Sequence, residues 1–183
     1  SYPNTISSSD RMLAVEATSE QTYVGSLGKG AGYLALYGDS TSATLYWQVL
    51  RANLVADSLD HVGRSYVLID SVPSDSQIAG NFITALGLQH RGDKNVIWAA
   101  VRSTSNYQYN GICITSNRGM TWKLVADGAF AWNFEFNGDT VWAATSGGLL
   151  MTTDEGANWK TLKIAEKATG REIGGNVEVY AAR

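Results

Sequence analysis

The acidic residues that could carry hydrolytic chemistry are few and widely separated. Cleavage of a glycosidic bond needs two carboxyl groups on opposite sides of the scissile bond. Outside the predicted turns the candidates are Asp57, Asp60, Asp70 and Glu135, the last on a predicted strand. Nothing in their spacing brings two of them together, and solvated or turn-capping acids are far commoner. A hydrolase therefore stays an open alternative.

The remaining reactive side chains predict no metal or cofactor site. His61 and His90 are the only histidines, and they lack the paired spacing of metal ligands. The single cysteine, Cys113, excludes an internal disulfide and falls at an apolar strand position, where a small buried side chain is expected. The tripeptide Arg91-Gly92-Asp93 matches a cell-adhesion motif, but a turn is needed there and three residues recur by chance.

The elements that must position these residues are set by a repeated segment. Residues 115–122 and 152–159 share a hydroxyl residue, Asn or Asp, Gly and Trp in the same register, 37 residues apart (152 − 115). An Asn or Asp side chain accepts hydrogen bonds from turn N–H groups, Gly adopts positive φ, and Trp covers the hairpin. We expect these structural roles for Thr115, Asn117, Gly119, Trp122, Thr152, Asp154, Gly156 and Trp159. Asn117 lacks the charge of Asp154, so its turn is expected to be weaker.

Matched short strands surround both segments, such as 96–100 and 140–144. Four strands to each unit of roughly 40 residues predict an antiparallel meander, the blade of a β-propeller. We predict blades at 82–126 and 129–164, a degenerate blade at 10–50 and the start of another at 175–183. Residues 51–80 do not fit the period; they are an insertion or irregular strands, with one strand-like run at 66–69.

The predicted fold is therefore all-β: a β-propeller of four-stranded antiparallel blades, partial, with about three blades and a terminal strand. Propellers usually need at least four blades to close a ring. A fragment of a larger propeller is the favoured interpretation, and a small ring closed by pairing the two ends is the alternative.

The repeated segment resembles the Asp-box, or BNR repeat, Ser/Thr-x-Asp-x-Gly-x-Thr/Ser-Trp. The run 80–86 followed by 97–100 is most similar to exported bacterial repeat proteins of that group. The resemblance implies boxes at the blade periphery, away from the ligand face, and an extracellular, cell-surface or periplasmic location. A sialidase is disfavoured because the Arg-Ile-Pro segment is absent and the arginines are scattered: Arg51, Arg64, Arg91, Arg102, Arg118 and Arg171.

Composition bounds the partners. The chain has 183 residues, enough for one domain, with 44% hydrophobic and 17% charged residues. The net charge of −3 comes without a basic run, which argues against nucleic acid as a partner. No apolar run is long enough to span a membrane.

One loop stands out as a candidate recognition surface. The first Asp-box unit carries seven extra residues (44 − 37), which lengthen the loop at 103–110. This loop contains Asn106, Tyr107, Gln108, Tyr109 and Asn110, a mixture suited to stacking and adaptable hydrogen bonds. We predict a noncatalytic extracytoplasmic β-propeller module that acts as a scaffold or as a recognition surface for a protein or glycan partner. The alternatives are a fragment of a propeller glycoside hydrolase and an assembly subunit that packs against further blades or another chain.

Overall fold

The computed structural model describes the chain in several ranges. It gives the backbone of six strands between residues 12 and 68, and it describes residues 77–104, 108–117, 119, 121–173 and 178–181. In these ranges every paired strand is antiparallel to its neighbour and there is no helix. The strands are β1 (Met12–Ala17), β2 (Thr22–Ser26), β3 (Ala31–Tyr37), β4 (Thr44–Leu50), β5 (Leu54–Asp60), β6 (Gly63–Leu68), β7 (Phe82–Arg91), β8 (Lys94–Arg102), β9 (Gly111–Thr115), β10 (Lys123–Asp127), β11 (Ala131–Asn137), β12 (Thr140–Thr145), β13 (Gly148–Thr152) and β14 (Lys160–Leu162).

The strands form successive meanders. Sheet 1 contains β1 to β4, sheet 2 contains β7 to β10 and sheet 3 contains β11 to β14, each paired in chain order. The all-β class and the four-stranded antiparallel sheets are thus confirmed. No sheet among the described residues is closed or curled.

Strands β5 and β6 form a separate two-stranded hairpin between sheets 1 and 2. The sequence predicted only a strand at 66–69, which overlaps β6. It gave no strand at β5, because Leu-Val-Ala-Asp-Ser-Leu-Asp has no sustained alternation of apolar and polar residues.

Sheet 2 is buried on both faces, which explains the unbroken apolar run in β8. Trp98 and Ala100 point to the face covered by sheet 3, whereas Ile97 and Ala99 point to a second core that includes Trp122. All four β8 residues are at most 2% exposed. A strand buried on both sides loses the alternating pattern of a half-exposed one.

Sheets 2 and 3 pack face to face through aromatic rings. The Trp98 ring lies 6.2 Å from Phe134 and meets Trp159 edge-on at 6.0 Å between centroids. Phe136 fills the space over Gly87, where an added Cβ would lie 2.6 Å from the Phe136 ring. Gly87 is therefore part of the fit between the two sheets.

Hydrogen bonds also join the two sheets. The buried Gln89 side chain accepts from Trp98 Nε1 at 3.0 Å and donates to the carbonyl oxygen of Gly138 at 2.8 Å. Thr84 Oγ1 donates to the carbonyl oxygen of Ala131 at 2.7 Å. These bonds give partners to buried polar groups, which would otherwise destabilise the fold.

The first strands of the three sheets lie side by side. Strand β7 contacts both β1 and β11. Because sheets 2 and 3 are antiparallel meanders, the turn between the first and second strands of each lies at the same end of the sheet as its repeated turn at 115–122 or 152–159. Residues 103–104 and 108–110, together with the connection between sheets 2 and 3, lie at the opposite end.

Candidate functional site

The hairpin at 115–122, which we call the first box, is held by the side chains that the sequence singled out. Thr115 Oγ1 accepts from Gly119 N at 2.9 Å, and it donates to Asn117 Oδ1 at 2.9 Å. Asn117 Oδ1 also accepts from Thr121 N at 2.9 Å. The Asn side chain thus ties both arms of the turn to one oxygen.

The second hairpin repeats these bonds with a carboxylate. Thr152 Oγ1 accepts from Gly156 N at 3.1 Å and donates to Asp154 Oδ1 at 2.8 Å, and Asp154 Oδ1 accepts from Asn158 N at 2.9 Å. Asn158 Nδ2 donates to Asp154 Oδ2 at 2.8 Å. Hydrogen bonds from the Asn158 side chain and then its backbone lower the pKa of Asp154 to about 2.

Both box glycines adopt the left-handed conformation, with φ of 77° at Gly119 and 78° at Gly156. Gly156 is also close-packed: an added Cβ would lie 2.7 Å from Val125 Cβ in sheet 2. Only glycine combines this backbone conformation with this approach to the neighbouring sheet.

The two box tryptophans differ in their hydrogen bonds. Trp159 Nε1 donates to the carbonyl oxygen of Val125 at 2.8 Å, which attaches the second hairpin to sheet 2. Trp122 is 3% exposed, and its Nε1 has no partner among the described residues. An indole hydrogen bond is therefore present in the second box only, where it joins the hairpin to sheet 2.

The box residues hold turns together. Both oxygens of the exposed Asp154 carboxylate accept hydrogen bonds, from Thr152 and Asn158 to Oδ1 and from Asn158 to Oδ2. The polar side chains of both boxes therefore have hydrogen-bond partners within their own turns.

The predicted recognition loop is partly described. Asn106 and Tyr107 lie outside the described residues. The Gln108 side-chain oxygen accepts from Asn81 N at 3.0 Å and Thr104 N at 3.1 Å, and Asn110 Oδ1 accepts from Ser103 N at 3.0 Å. These amide oxygens therefore shape the loop, while the Tyr109 side chain is 39% exposed.

An aromatic–arginine cluster lies at the same end and was not predicted. The Arg102 guanidinium carbon lies 4.4 Å from the Phe130 ring centroid, 5.6 Å from Trp132 and 5.8 Å from Phe82. Tyr180, 64% exposed, stacks on Trp132 at 5.9 Å between centroids. We call these residues, Phe82, Arg102, Phe130, Trp132 and Tyr180, the aromatic–arginine cluster.

This cluster suits binding more than catalysis. A guanidinium over aromatic rings is held in place by cation–π attraction. The outer tyrosine, Tyr180, offers a flat apolar ring that can stack on a ligand, while its hydroxyl hydrogen-bonds to Glu178. Its members come from four separate segments of the chain, so no local pattern in the sequence could have identified it.

The candidate catalytic acids do not form a pair that the structure describes. Glu135 lies opposite Trp142 in sheet 3, and the adjacent positions of that face along its strand are Asn133 and Asn137. Asp57 and Asp60 lie on β5, where only the backbone is described, and Asp70 lies outside the described residues. No group of three metal-binding side chains occurs among the described residues.

The other reactive residues that the sequence singled out, Arg91, His90 and Cys113, take part in contacts within the fold. Arg91 bonds to Asp139 at 2.7 Å and to Glu155, so the tripeptide arginine links the ends of sheets 2 and 3, and Gly92 is in the turn with φ of 58°. His90 Nδ1 lies 2.8 Å from Asn95 Oδ1.

The thiol of Cys113 is fully buried, and this burial raises its pKa to about 12. His61, Arg51 and Arg118 lie outside the described residues, and the side chain of Arg64 is likewise undescribed.

Comparison with known proteins gave no match, either to a protein-family model or to a curated protein. Among the described residues, no helix has the length and apolar character that crossing a membrane requires.

Proposed function

We propose that this chain is a noncatalytic recognition module built from β-propeller blades, which binds a protein or glycan partner outside the cytoplasm. The propeller is supported by three features together. The sheets are four-stranded meanders, their first strands lie side by side, and the box tryptophan of one sheet bonds to the preceding sheet. The location is inferred from the resemblance to exported Asp-box proteins.

The aromatic–arginine cluster is the observation that carries the recognition function. Arg102 is fixed among three rings, and Tyr180 extends the stack to the surface. Binding hot spots are enriched in Trp, Tyr and Arg. Tyr109, the second exposed aromatic at this end, lies on the lengthened loop and widens the surface.

The noncatalytic part of the proposal is supported by the surroundings of Glu135. A glycosidase needs a second carboxyl group across the scissile bond. The nearest positions on the face of sheet 3 that carries Glu135 are occupied by Asn133, Asn137 and Trp142. None of these side chains can act as a general acid or base.

Ligand screening with matched variants tests this proposal. A glycan array and cross-linking to surface proteins are performed with the chain, Tyr180→Ala and Ile173→Ala. Ile173 is also exposed, at 46%, but it lies in the hairpin after sheet 3. We expect Tyr180→Ala to weaken binding about tenfold, since a hot-spot aromatic contributes about 1–2 kcal/mol or more. Equal binding by the three proteins would refute the cluster as the binding site.

A further inference from the structure

Two arginines lie at opposite ends of the first two strands of sheet 2, and their partners differ. Arg91, at the end of β7, is paired with the carboxylates of Asp139 and Glu155. Arg102, at the end of β8, is surrounded instead by three aromatic rings of the aromatic–arginine cluster. In the part of the chain that the structure describes, no carboxylate bonds to Arg102. Its positive charge is therefore not neutralised there.

The Arg102 side chain is half-buried, so water hydrates it only in part. It lies at the end of the β8 face that carries Trp98 and Ala100, which sheet 3 covers. The rings attract its charge, but its N–H groups donate to no acceptor among the described residues. Trp132 Nε1 is buried and also has no partner there. The cluster thus contains hydrogen-bond donors without acceptors, and a ligand that supplies acceptor oxygens would complete it.

A carboxylate is the acceptor that suits Arg102. Its planar guanidinium can donate two parallel hydrogen bonds to the two oxygens of one carboxylate, and such charge-assisted bonds are stronger than neutral ones. The cluster has an acid beside it, Glu178, but this side chain bonds to the hydroxyl of Tyr180. Arg102 is therefore left to bind a carboxylate from outside the chain.

We propose that the ligand of the aromatic–arginine cluster is an acidic glycan, in which the carboxylate of a hexuronic acid binds to Arg102. A hexuronic acid carries its carboxylate on a sugar ring, and the C–H groups of that ring pack against the negative face of an aromatic side chain. One sugar unit supplies both the acceptor and the stacking surface, whereas an acidic peptide needs two side chains in fixed register. The inference rests on the proposed recognition function and adds the chemical class of the ligand.

Isothermal titration calorimetry with acidic and neutral saccharides tests the inference. The probes are tetrasaccharides of galacturonic acid, mannuronic acid and hyaluronan, the methyl ester of each, and a hexaglutamate peptide. The salt concentration is about 0.15 M, which screens long-range attraction between exposed charges. We expect at least one acidic tetrasaccharide to bind. Its methyl ester keeps the sugar rings but not the charge, and it should bind at least about tenfold more weakly.

Three variants show whether Arg102 is responsible. Arg102→Gln should remove the preference for the acid over its ester. Arg102→Lys keeps the charge without the planar fork, so it should bind the acid more weakly than the wild type but more tightly than Arg102→Gln. Arg171→Gln is the matched control: it removes an exposed arginine in the hairpin after sheet 3 and should bind as the wild type does. Far-ultraviolet circular dichroism verifies that each variant is folded.

The outcomes distinguish this inference from the proposed function. Equal binding of an acid and its ester would refute the carboxylate contact and leave the recognition function intact. Hexaglutamate bound as tightly as the best saccharide would refute the glycan and favour an acidic protein partner. Equal losses in Arg102→Gln and Arg171→Gln would refute the site. If none of the acidic saccharides binds, the inference is wrong, and the array and cross-linking experiments then decide the proposed function separately.

Discussion

Sheets 2 and 3, the two repeat units, have nearly the same box turns but different surroundings. Their hydroxyl, Asx and glycine residues make matching hydrogen bonds to within 0.2 Å (2.9 against 3.1 Å at the glycine N–H). Yet Ile112 is 0% exposed, whereas its equivalent Leu149 is half-buried. A local turn is determined by its own residues, whereas burial depends on whether another sheet covers the face.

The largest expected effect is the cost of truncating the covered face. Ile112→Ala should destabilise the fold by about 3–4 kcal/mol, since it opens a cavity between sheets 2 and 3. Leu149→Ala removes the same number of carbons from the open face and should cost about 1–2 kcal/mol. Urea unfolding of dilute protein, followed by tryptophan fluorescence, measures both. Equal costs would mean that the two faces are equally covered.

The next effect concerns the contact between the second box and sheet 2. Gly156→Ala should cost about 2–4 kcal/mol, because it adds a clash with Val125 to the strain of positive φ. Gly138→Ala is the matched control, with φ of 56° and nothing within 4 Å of the added Cβ. It should cost about 1 kcal/mol. Chemical denaturation compares the two, and a Gly156 variant no less stable than the control would contradict the packing described.

Removing the N–H group of a box tryptophan should change the free energy of unfolding by less than the glycine substitutions do, and by different amounts in the two boxes. Replacing Trp159 with its benzothienyl analogue removes the N–H and keeps the ring shape, so the bond to Val125 is lost at a cost of about 1 kcal/mol. The same replacement at Trp122 removes a buried donor without a described partner and should be neutral or stabilising. Thermal unfolding of the two semisynthetic proteins gives the comparison; a larger loss at Trp122 would show that its N–H is bonded in solution.

The smallest effect is the pH dependence of the boxes. The pKa of Asp154 falls from its ordinary value of 3.8 to about 2 in the folded chain. Its contribution to stability is therefore complete above pH 3.8 and is lost as the pH falls toward about 2. Asp154→Asn should be less stable than the wild type at neutral pH, and the two unfolding midpoints should converge in acid. Asn117→Asp should introduce the same dependence in the first box, and parallel midpoints throughout would exclude it.

Contacts that close within a few residues could be predicted from the sequence, whereas contacts between sheets could not. The hydrogen bonds of Thr115, Asn117, Thr152 and Asp154 follow from residue type and spacing, because they close within a few residues. The bond from Trp159 to Val125 crosses between sheets, so the sequence indicated a buried indole but not its acceptor. The sequence did not indicate a role for Gly87, because its contact with Phe136 depends on the packing of sheet 3 on sheet 2.

The candidate site was harder to predict for the same reason. The loop was found from its extra length, but the oxygens of Gln108 and Asn110 bond within the loop, which a single sequence cannot show. Arg102 was noted only as one of several scattered arginines. Phe130 and Trp132 meet Arg102 through the packing of sheet 3 on sheet 2, and Tyr180, from the chain that follows sheet 3, contacts Trp132.

The most direct test of the recognition function measures binding and hydrolysis of one retained ligand by three proteins. If the ligand is a glycan, the wild type and Glu135→Gln should bind it equally without cleaving it, while Tyr180→Ala should bind about tenfold more weakly. Cleavage by the wild type that Glu135→Gln abolishes, with binding by Tyr180→Ala unchanged, would contradict the account and identify a hydrolase.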